Sequence, residues 1–171
     1  MKVAFYVGDH AKDDWLARFG WAITRYTQKG PYGDVTHAEA IHAEHPDGTV
    51  TMASASLRDG GVRAKTLRLN PAHWLIADVP RWDVQDSIDF LAQTDGAPYD
   101  WRGAWATRLP GSGEDAAWFC NEWVAAPYLQ ASETFGPHHL AALCLSLGRD
   151  VTQAFFLNRV YQKNQQPETK P

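Results

Sequence analysis

Alternating apolar and polar positions predict a series of β-strands in the first half of the chain. A period of two is typical of strands that bury one face. Pro46-Asp47-Gly48 and Asp59-Gly60-Gly61 separate successive stretches and are turn signals of the hairpin kind. The predicted strands cover residues 2–7, 35–43, 49–57, 62–69 and 73–79. We expect the last four to form a mostly antiparallel meander.

Apolar residues at a spacing of three and four predict helices around this meander. Asp13 or Asp14 is suited to cap the first helix, and Gly30 follows its end. The predicted helices cover residues 14–28, 83–94, 120–126, 137–147 and 151–161. Together these elements predict one α+β domain over residues 1–161. Residues 162–171 are polar and contain two prolines, which predicts a flexible tail.

The composition is that of an ordinary globular protein. The chain has 171 residues, of which 44% are hydrophobic and 21% charged, enough for one domain with a real core. A net charge of −4 gives no reason to expect a nucleic-acid partner. The eight tryptophans are expected in the core, although a groove for an apolar ligand is an alternative. No uninterrupted apolar stretch is long enough to predict a transmembrane segment.

The N-terminal residues and the cysteines both favour a reducing compartment. The apolar run before Asp9 is too short for a secretory signal, so we expect cytoplasmic synthesis without cleavage. Two cysteines, Cys120 and Cys144, do not make a disulfide framework. Two free thiols are the favoured interpretation, with a single bridge between them as the alternative.

The two cysteines differ in their sequence setting. Cys120 follows the loop residues Gly111, Ser112 and Gly113 and begins an apolar helix. A thiol at a helix start faces unpaired N–H groups and the positive end of the helix dipole, which favour the thiolate. Cys144 lies in a leucine stripe, which is typical of an inert core residue. A purely structural role for Cys120 remains the alternative.

A nucleophilic thiol needs a base, and His37 is the best candidate. His37 shares a predicted strand face with Glu39, and an imidazole held on a strand can deprotonate a thiol. The alternative is a histidine whose hydrogen bonds are satisfied within the sheet. The possible metal ligands, none of which matches a structural zinc spacing, are His37, His42, His45, Cys120, His138 and His139. We therefore predict no metal and no cofactor.

Three segments, taken in their order, resemble a known family. They are residues 30–39 with His37, residues 98–103 with the motif Pro-Tyr-Asp-Trp-Arg-Gly, and residues 119–126 with Cys120. This order is similar to the circularly permuted branch of the NlpC/P60 papain-like superfamily, in which the histidine strand precedes the cysteine helix. Small members encoded by bacteriophages and prophages are the most similar, and residues 56–63 also resemble that subgroup.

The resemblance implies a fold and a set of site residues. The fold would be α+β and papain-like, with the cysteine helix packed against an antiparallel sheet. Cys120 would be the nucleophile, His37 the base and Tyr99 a stabiliser of the oxyanion. The residue that orients His37 is expected on the following strand, which offers Ser54, with Glu39 as the alternative. Asn121 stands where the family usually has serine.

The resemblance also implies a function. It would be a thiol hydrolase or acyltransferase, of the amidase or peptidase type, acting on a cell-wall peptide amide or on a lipid-like acyl group. The expected partners are therefore a peptidoglycan peptide or a lipid-like substrate, together with other virion proteins if the chain is packaged into a phage particle. The alternative is a non-catalytic phage structural, assembly or binding module that keeps the papain-like fold.

Overall fold

The computed structural model of the chain describes residues 1–7, 32–100, 103–104, 117–129 and 136–165, with side chains up to residue 158. The helix predicted over residues 14–28 lies outside the described residues. The same is true of the loop at Gly111, Ser112 and Gly113.

Within these ranges, six strands form one antiparallel sheet in the order β4-β3-β2-β1-β5-β6. The strands are β1 (Lys2–Tyr6), β2 (His37–Glu44), β3 (Val50–Ser56), β4 (Gly61–Leu67), β5 (Trp74–Asp78) and β6 (Arg149–Asp150). The first five confirm the predicted strands, but the meander expected of the last four is limited to β2, β3 and β4, because β5 pairs with β1. β6 has only two residues, too few to carry a pattern. The N-terminal strand β1 lies inside the sheet, between β2 and β5.

The described residues also form four helices. They are α1 (Val84–Thr94), α2 (Cys120–Ala125), α3 (Pro137–Leu147) and α4 (Thr152–Gln165). Asp83 caps α1 by accepting a hydrogen bond of 2.9 Å from the backbone N–H of Gln85. α4 continues to Gln165, so the beginning of the segment predicted as a flexible tail is helical.

The core consists of two clusters of buried side chains, and neighbouring residues of β2 belong to different clusters. In the larger cluster, Trp123 and Val124 of α2 and Leu140 of α3 join Ala38 and Ala40 of β2. Small alanines on β2 allow α2 to approach, and α2 packs against β2 and β3. The predicted α+β architecture, with the cysteine helix against an antiparallel sheet, is therefore confirmed.

The second cluster is smaller and belongs to α4. Phe155 of α4 packs with Ile41 of β2, Met52 of β3 and Ile76 of β5. Neighbouring strand residues thus project alternately into the two clusters, as strand geometry requires. In the part of the chain that the structure describes, no helix is both long enough and apolar enough to cross a bilayer.

Replacement of Trp123 by alanine should destabilise the protein strongly. The Trp123 side chain is 0% exposed, and its indole N–H donates to the Thr94 hydroxyl over 2.9 Å. Truncating such a side chain leaves a cavity and removes this hydrogen bond, so we expect the free energy of unfolding to fall by about 3–5 kcal/mol. Urea denaturation measures this change.

Leu157→Ala is the matched control, because Leu157 is 60% exposed on α4. Its free energy of unfolding should stay within about 0.5 kcal/mol of the wild-type value. Equal losses in the two variants would contradict the assignment of Trp123 to the core.

Candidate active site

Cys120 begins α2 and is nearly buried, with 5% of its surface exposed. The preceding residue, Phe119, is extended (φ −110°, ψ 164°), and its backbone N–H donates to the Glu122 carboxylate over 3.4 Å. α2 has only six residues, so its dipole is small. Stabilisation of a thiolate therefore has to come mainly from neighbouring side chains.

His37 lies beside Cys120. It is the first residue of β2, its side chain is 24% exposed, and Cys120 is close enough to change its pKa. The Nε2 atom of His37 lies 2.9 Å from Oε1 of Glu39 and forms a hydrogen bond with it. The structure thus brings together the two residues that the sequence proposes as nucleophile and base.

The charge state of His37 follows from these contacts. Burial by itself lowers the pKa of His37, but the interactions with Cys120 and with Glu39 together raise that pKa to about 9. At neutral pH the imidazole therefore carries its proton beside the Cys120 sulfur. An imidazolium next to a cysteine favours the thiolate, which is the reactive form of a cysteine nucleophile.

Glu39 holds the other side of the imidazole. Residues i and i+2 of a strand project to the same side, which places its carboxylate beside the His37 ring. The Glu39 side chain is 1% exposed. Burial alone would raise the pKa of Glu39, but hydrogen bonds and charges from His37 and Arg63 lower it to about 2. A carboxylate can only accept, so His37 Nε2 donates this hydrogen bond.

Arg63 compensates the buried charge of Glu39. Its Nη2 and Nη1 atoms donate to Oε1 and Oε2 of Glu39 over 2.6 and 2.9 Å, a two-pronged pair that fixes the carboxylate plane. The Arg63 Nε atom donates to Asp59 over 2.5 Å. Lys65 lies 3.1 Å from the same Asp59 oxygen and 3.7 Å from Glu39. Three cations, His37, Arg63 and Lys65, would balance three anions, Glu39, Asp59 and a thiolate at Cys120.

Ser54 does not orient His37, in contrast to the first expectation from the sequence. Among the described residues, its hydroxyl donates to the backbone carbonyls of Ala55 and Cys120 over 3.3 and 3.4 Å. In the antiparallel register Ser54 faces Arg63, which also donates to the Ser54 carbonyl over 3.0 Å. The small serine leaves space for the guanidinium to reach across β3 to β2. Glu39, the alternative, is therefore the partner of His37.

Tyr99 is brought to the site by a short segment between α1 and α2. The Trp118 N–H donates to the Pro98 carbonyl over 3.0 Å, and the Asp100 N–H donates to the Trp118 carbonyl over 2.9 Å. Burial, followed by the charges of Cys120 and Asp100, raises the pKa of Tyr99 well above its usual range. Tyr99 is therefore a neutral phenol close to the cysteine, a state in which it can donate a proton to a developing oxyanion.

Gly61 allows this segment to approach the sheet. A Cβ atom at Gly61 would lie 2.0 Å from the carbonyl oxygen of Ala97, far inside van der Waals contact. The Val62 N–H donates to that same oxygen over 2.9 Å. The start of β4 therefore carries the Pro98–Asp100 segment, and only glycine fits at the crossing point.

Other polar candidates from the sequence are engaged elsewhere. His42 hydrogen-bonds to Ser87 and His45 to Thr51, over 2.9 and 2.7 Å. Among the described residues, no group of three histidine, cysteine or acidic side chains could hold a metal ion. Sequence reasoning missed Arg63, although it lies at the end of the 56–63 segment that resembles the phage subgroup.

No family model, curated protein or solved structure matches this chain.

The ionisation of His37 is directly measurable by NMR titration of its ring signals. In the wild-type protein the midpoint should lie near pH 9, against an ordinary value of 6.5. Because the folded-state pKa is raised, the stability that the protonated ring contributes is complete below pH 6.5 and is lost as the pH rises through 9. Glu39→Gln and Cys120→Ser should each lower the midpoint, since each removes an interaction that raises the pKa of His37.

Cys144→Ala is the control for this titration, because Cys144 lies in the core and is not among the causes of the His37 shift. Its midpoint should equal that of the wild type. A His37 midpoint that does not respond to Glu39→Gln would contradict the hydrogen bond described above.

Alkylation should distinguish the two thiols. Burial raises the pKa of Cys144 to about 12, so this thiol is almost fully protonated at neutral pH. Iodoacetamide at pH 7 should therefore label Cys120 first, and His37→Ala should slow that labelling because the imidazolium is lost. Peptide mass spectrometry follows both sites. Equal labelling of the two cysteines would argue against a Cys120–His37 pair.

Proposed function

We propose that this chain is a cysteine hydrolase of the permuted NlpC/P60 papain-like type, with Cys120 as nucleophile, His37 as acid and base, and Glu39 as the residue that orients His37. The observation that carries the proposal is the position of the His37 ring, hydrogen-bonded to the Glu39 carboxylate and close enough to Cys120 for the cysteine to raise its pKa. A nucleophile, a base and an orienting group in sequence are the working parts of a covalent hydrolase.

The first step is acylation of the cysteine. The Cys120 thiolate attacks the carbonyl carbon of the substrate, a C–S bond forms, and the carbonyl π electrons move to oxygen. The Tyr99 hydroxyl and the backbone N–H groups at the start of α2 stabilise that oxyanion. When the intermediate collapses, the bond to the leaving group breaks, and the leaving group takes the proton from the His37 imidazolium.

The second step regenerates the enzyme. The neutral His37 accepts a proton from water, whose oxygen attacks the thioester carbonyl. Collapse of this intermediate breaks the C–S bond and releases a carboxylic acid, with the thiolate and the imidazolium restored. Another nucleophile in place of water would make the same site an acyltransferase. Glu39 keeps one ring orientation throughout, because Arg63 fixes its carboxylate.

Chain order and packing support the family assignment within this proposal. The histidine strand β2 precedes the cysteine helix α2 in the sequence, and α2 packs against β2 and β3. This is the order expected for the permuted branch, and the phage or prophage type remains the most similar in its motifs. We propose a cell-wall peptide amide or a lipid-like acyl group as substrate, since both present an acyl carbonyl to a thiolate.

Turnover by matched variants tests the proposal. Purified peptidoglycan peptides and short-chain acyl esters represent the two substrate classes, and product release is followed by mass spectrometry. Cys120→Ala should abolish turnover, whereas Cys144→Ala should keep it. Glu39→Gln should reduce kcat by about a hundredfold or more, as loss of an orienting carboxylate does in other triads. Ser54→Ala should change kcat by only about a fewfold, because its hydroxyl contacts backbone carbonyls.

Two outcomes would contradict the proposal. One is turnover that survives Cys120→Ala. The other is a wild-type protein that binds members of either substrate class but forms no acyl adduct on Cys120, which would favour the non-catalytic binding module.

A further inference from the structure

Asn121 places a buried amide directly beside the proposed nucleophile. It is the second residue of α2 and is 1% exposed. The Cys120 thiol donates to Oδ1 of Asn121 over 3.4 Å. The other end of the amide, Nδ2, is buried and has no hydrogen-bond partner among the described residues. Buried donors are normally paired, so this atom requires an explanation.

The observed contact suits only the protonated sulfur. A thiol has a hydrogen to donate to Oδ1, whereas a thiolate has none and would face the lone pairs of Oδ1 with its own negative charge. Catalysis by the ion pair needs the thiolate. The observed orientation of the Asn121 amide therefore does not suit the thiolate. The donor that would suit it, Nδ2, belongs to the same amide group.

We propose that Asn121 is a reversible hydrogen-bond partner of the Cys120 sulfur, accepting from the thiol through Oδ1 and donating to the thiolate through Nδ2 after a half turn of its amide. This inference rests on the thiol hydrolase proposed above. The two ends of an amide have nearly the same shape, so the turn needs no displacement of the surrounding core. A hydrogen bond to a charged acceptor is stronger than one to a neutral acceptor, which favours the turn.

The Asn121 amide can do more at this position than a hydroxyl side chain could. It is longer, and its planar group offers an acceptor at one end and a donor at the other. The Cys120 sulfur can therefore keep one hydrogen bond in both of its protonation states. The consequence is a larger fraction of thiolate at neutral pH and a nucleophile whose rotamer does not change when it loses its proton.

Other charged groups near the sulfur stay constant in an Asn121 series. β3 has no titratable side chain in Val50–Ser56. Among the described residues, the remaining elements around α2 carry the following titratable or charged groups: His37, Glu39, His42 and Glu44 on β2, Arg63 and Lys65 on β4, Tyr99 and Asp100 before α2, Glu122 on α2, and His138, His139 and Cys144 on α3. A change at position 121 alone therefore reports the contribution of the amide.

The test is the rate of Cys120 alkylation by iodoacetamide as a function of pH, measured on the full chain in a Cys144→Ala background. Asn121→Ala removes the donor, so the midpoint of the profile should move to higher pH, with labelling at pH 6 slowed about tenfold or more. Asn121→Asp has the same shape but places a carboxylate against the sulfur, so its midpoint should move further. Asn121→Ser keeps a hydroxyl donor and should fall between the wild type and Asn121→Ala.

A second measurement does not depend on any substitution. The side-chain ¹⁵NH₂ signals of Asn121 should shift with the same midpoint as the alkylation profile, because Nδ2 changes partner when the thiol ionises. Circular dichroism and urea denaturation identify any variant that has failed to fold, and the NMR titration of the wild type then decides.

Two results would overturn the inference. An alkylation profile unchanged in both Asn121→Ala and Asn121→Asp would show that the amide does not interact with the thiolate. A large loss of kcat with an unchanged profile would assign the amide to the substrate oxyanion instead. The alkylation profile and the NMR titration use no substrate. The role of Asn121 can therefore be disproved while the proposed hydrolase function stands, and the hydrolase function can be disproved while the role of Asn121 stands.

Discussion

The buried ion pair between Glu39 and Arg63 is the constraint on which the rest of the site depends. A carboxylate inside the protein is tolerated only when its charge is compensated, and removing one partner of such a pair costs about 3–5 kcal/mol. Arg63 supplies that compensation from two strands away, across β3. The carboxylate plane, the His37 ring and the Cys120 sulfur are then positioned in turn, each by the preceding contact.

Much of the fold could be predicted from local pattern, and the exceptions have local causes. β2 extends to Glu44, past the predicted end, and its pairing register with β3 shifts between Ile41 and Ala43. An irregularity of this kind is not visible in alternation. α4 continues to Gln165 because its last residues, although polar, include good helix formers such as lysine and glutamine. Polar composition by itself does not separate a helix end from a tail.

The site was predictable in part. Cys120 and His37 follow from the order of three motifs, and the structure brings them together. The choice of Ser54 over Glu39 relied on the next strand, whereas Glu39 is the residue that hydrogen-bonds to His37. Residues two apart on one strand are separated by only about 6.6 Å, a gap that an imidazole and a carboxylate readily bridge. The contact of Arg63 with Glu39 could not be predicted from the sequence, since it depends on the pairing of three strands.

Gly61 is an example of a position whose sensitivity to substitution does not follow from its distance to the Cys120 sulfur. It lies in a turn-rich part of the sequence, far along the chain from Cys120, and contributes no chemical group. The Ala97 carbonyl nonetheless occupies the volume that any Cβ at position 61 would need. A larger residue would push the Tyr99 segment outward while leaving Cys120, His37 and Glu39 in place. Saturation mutagenesis would therefore find that Gly61 does not tolerate substitution, although glycine has no reactive side chain.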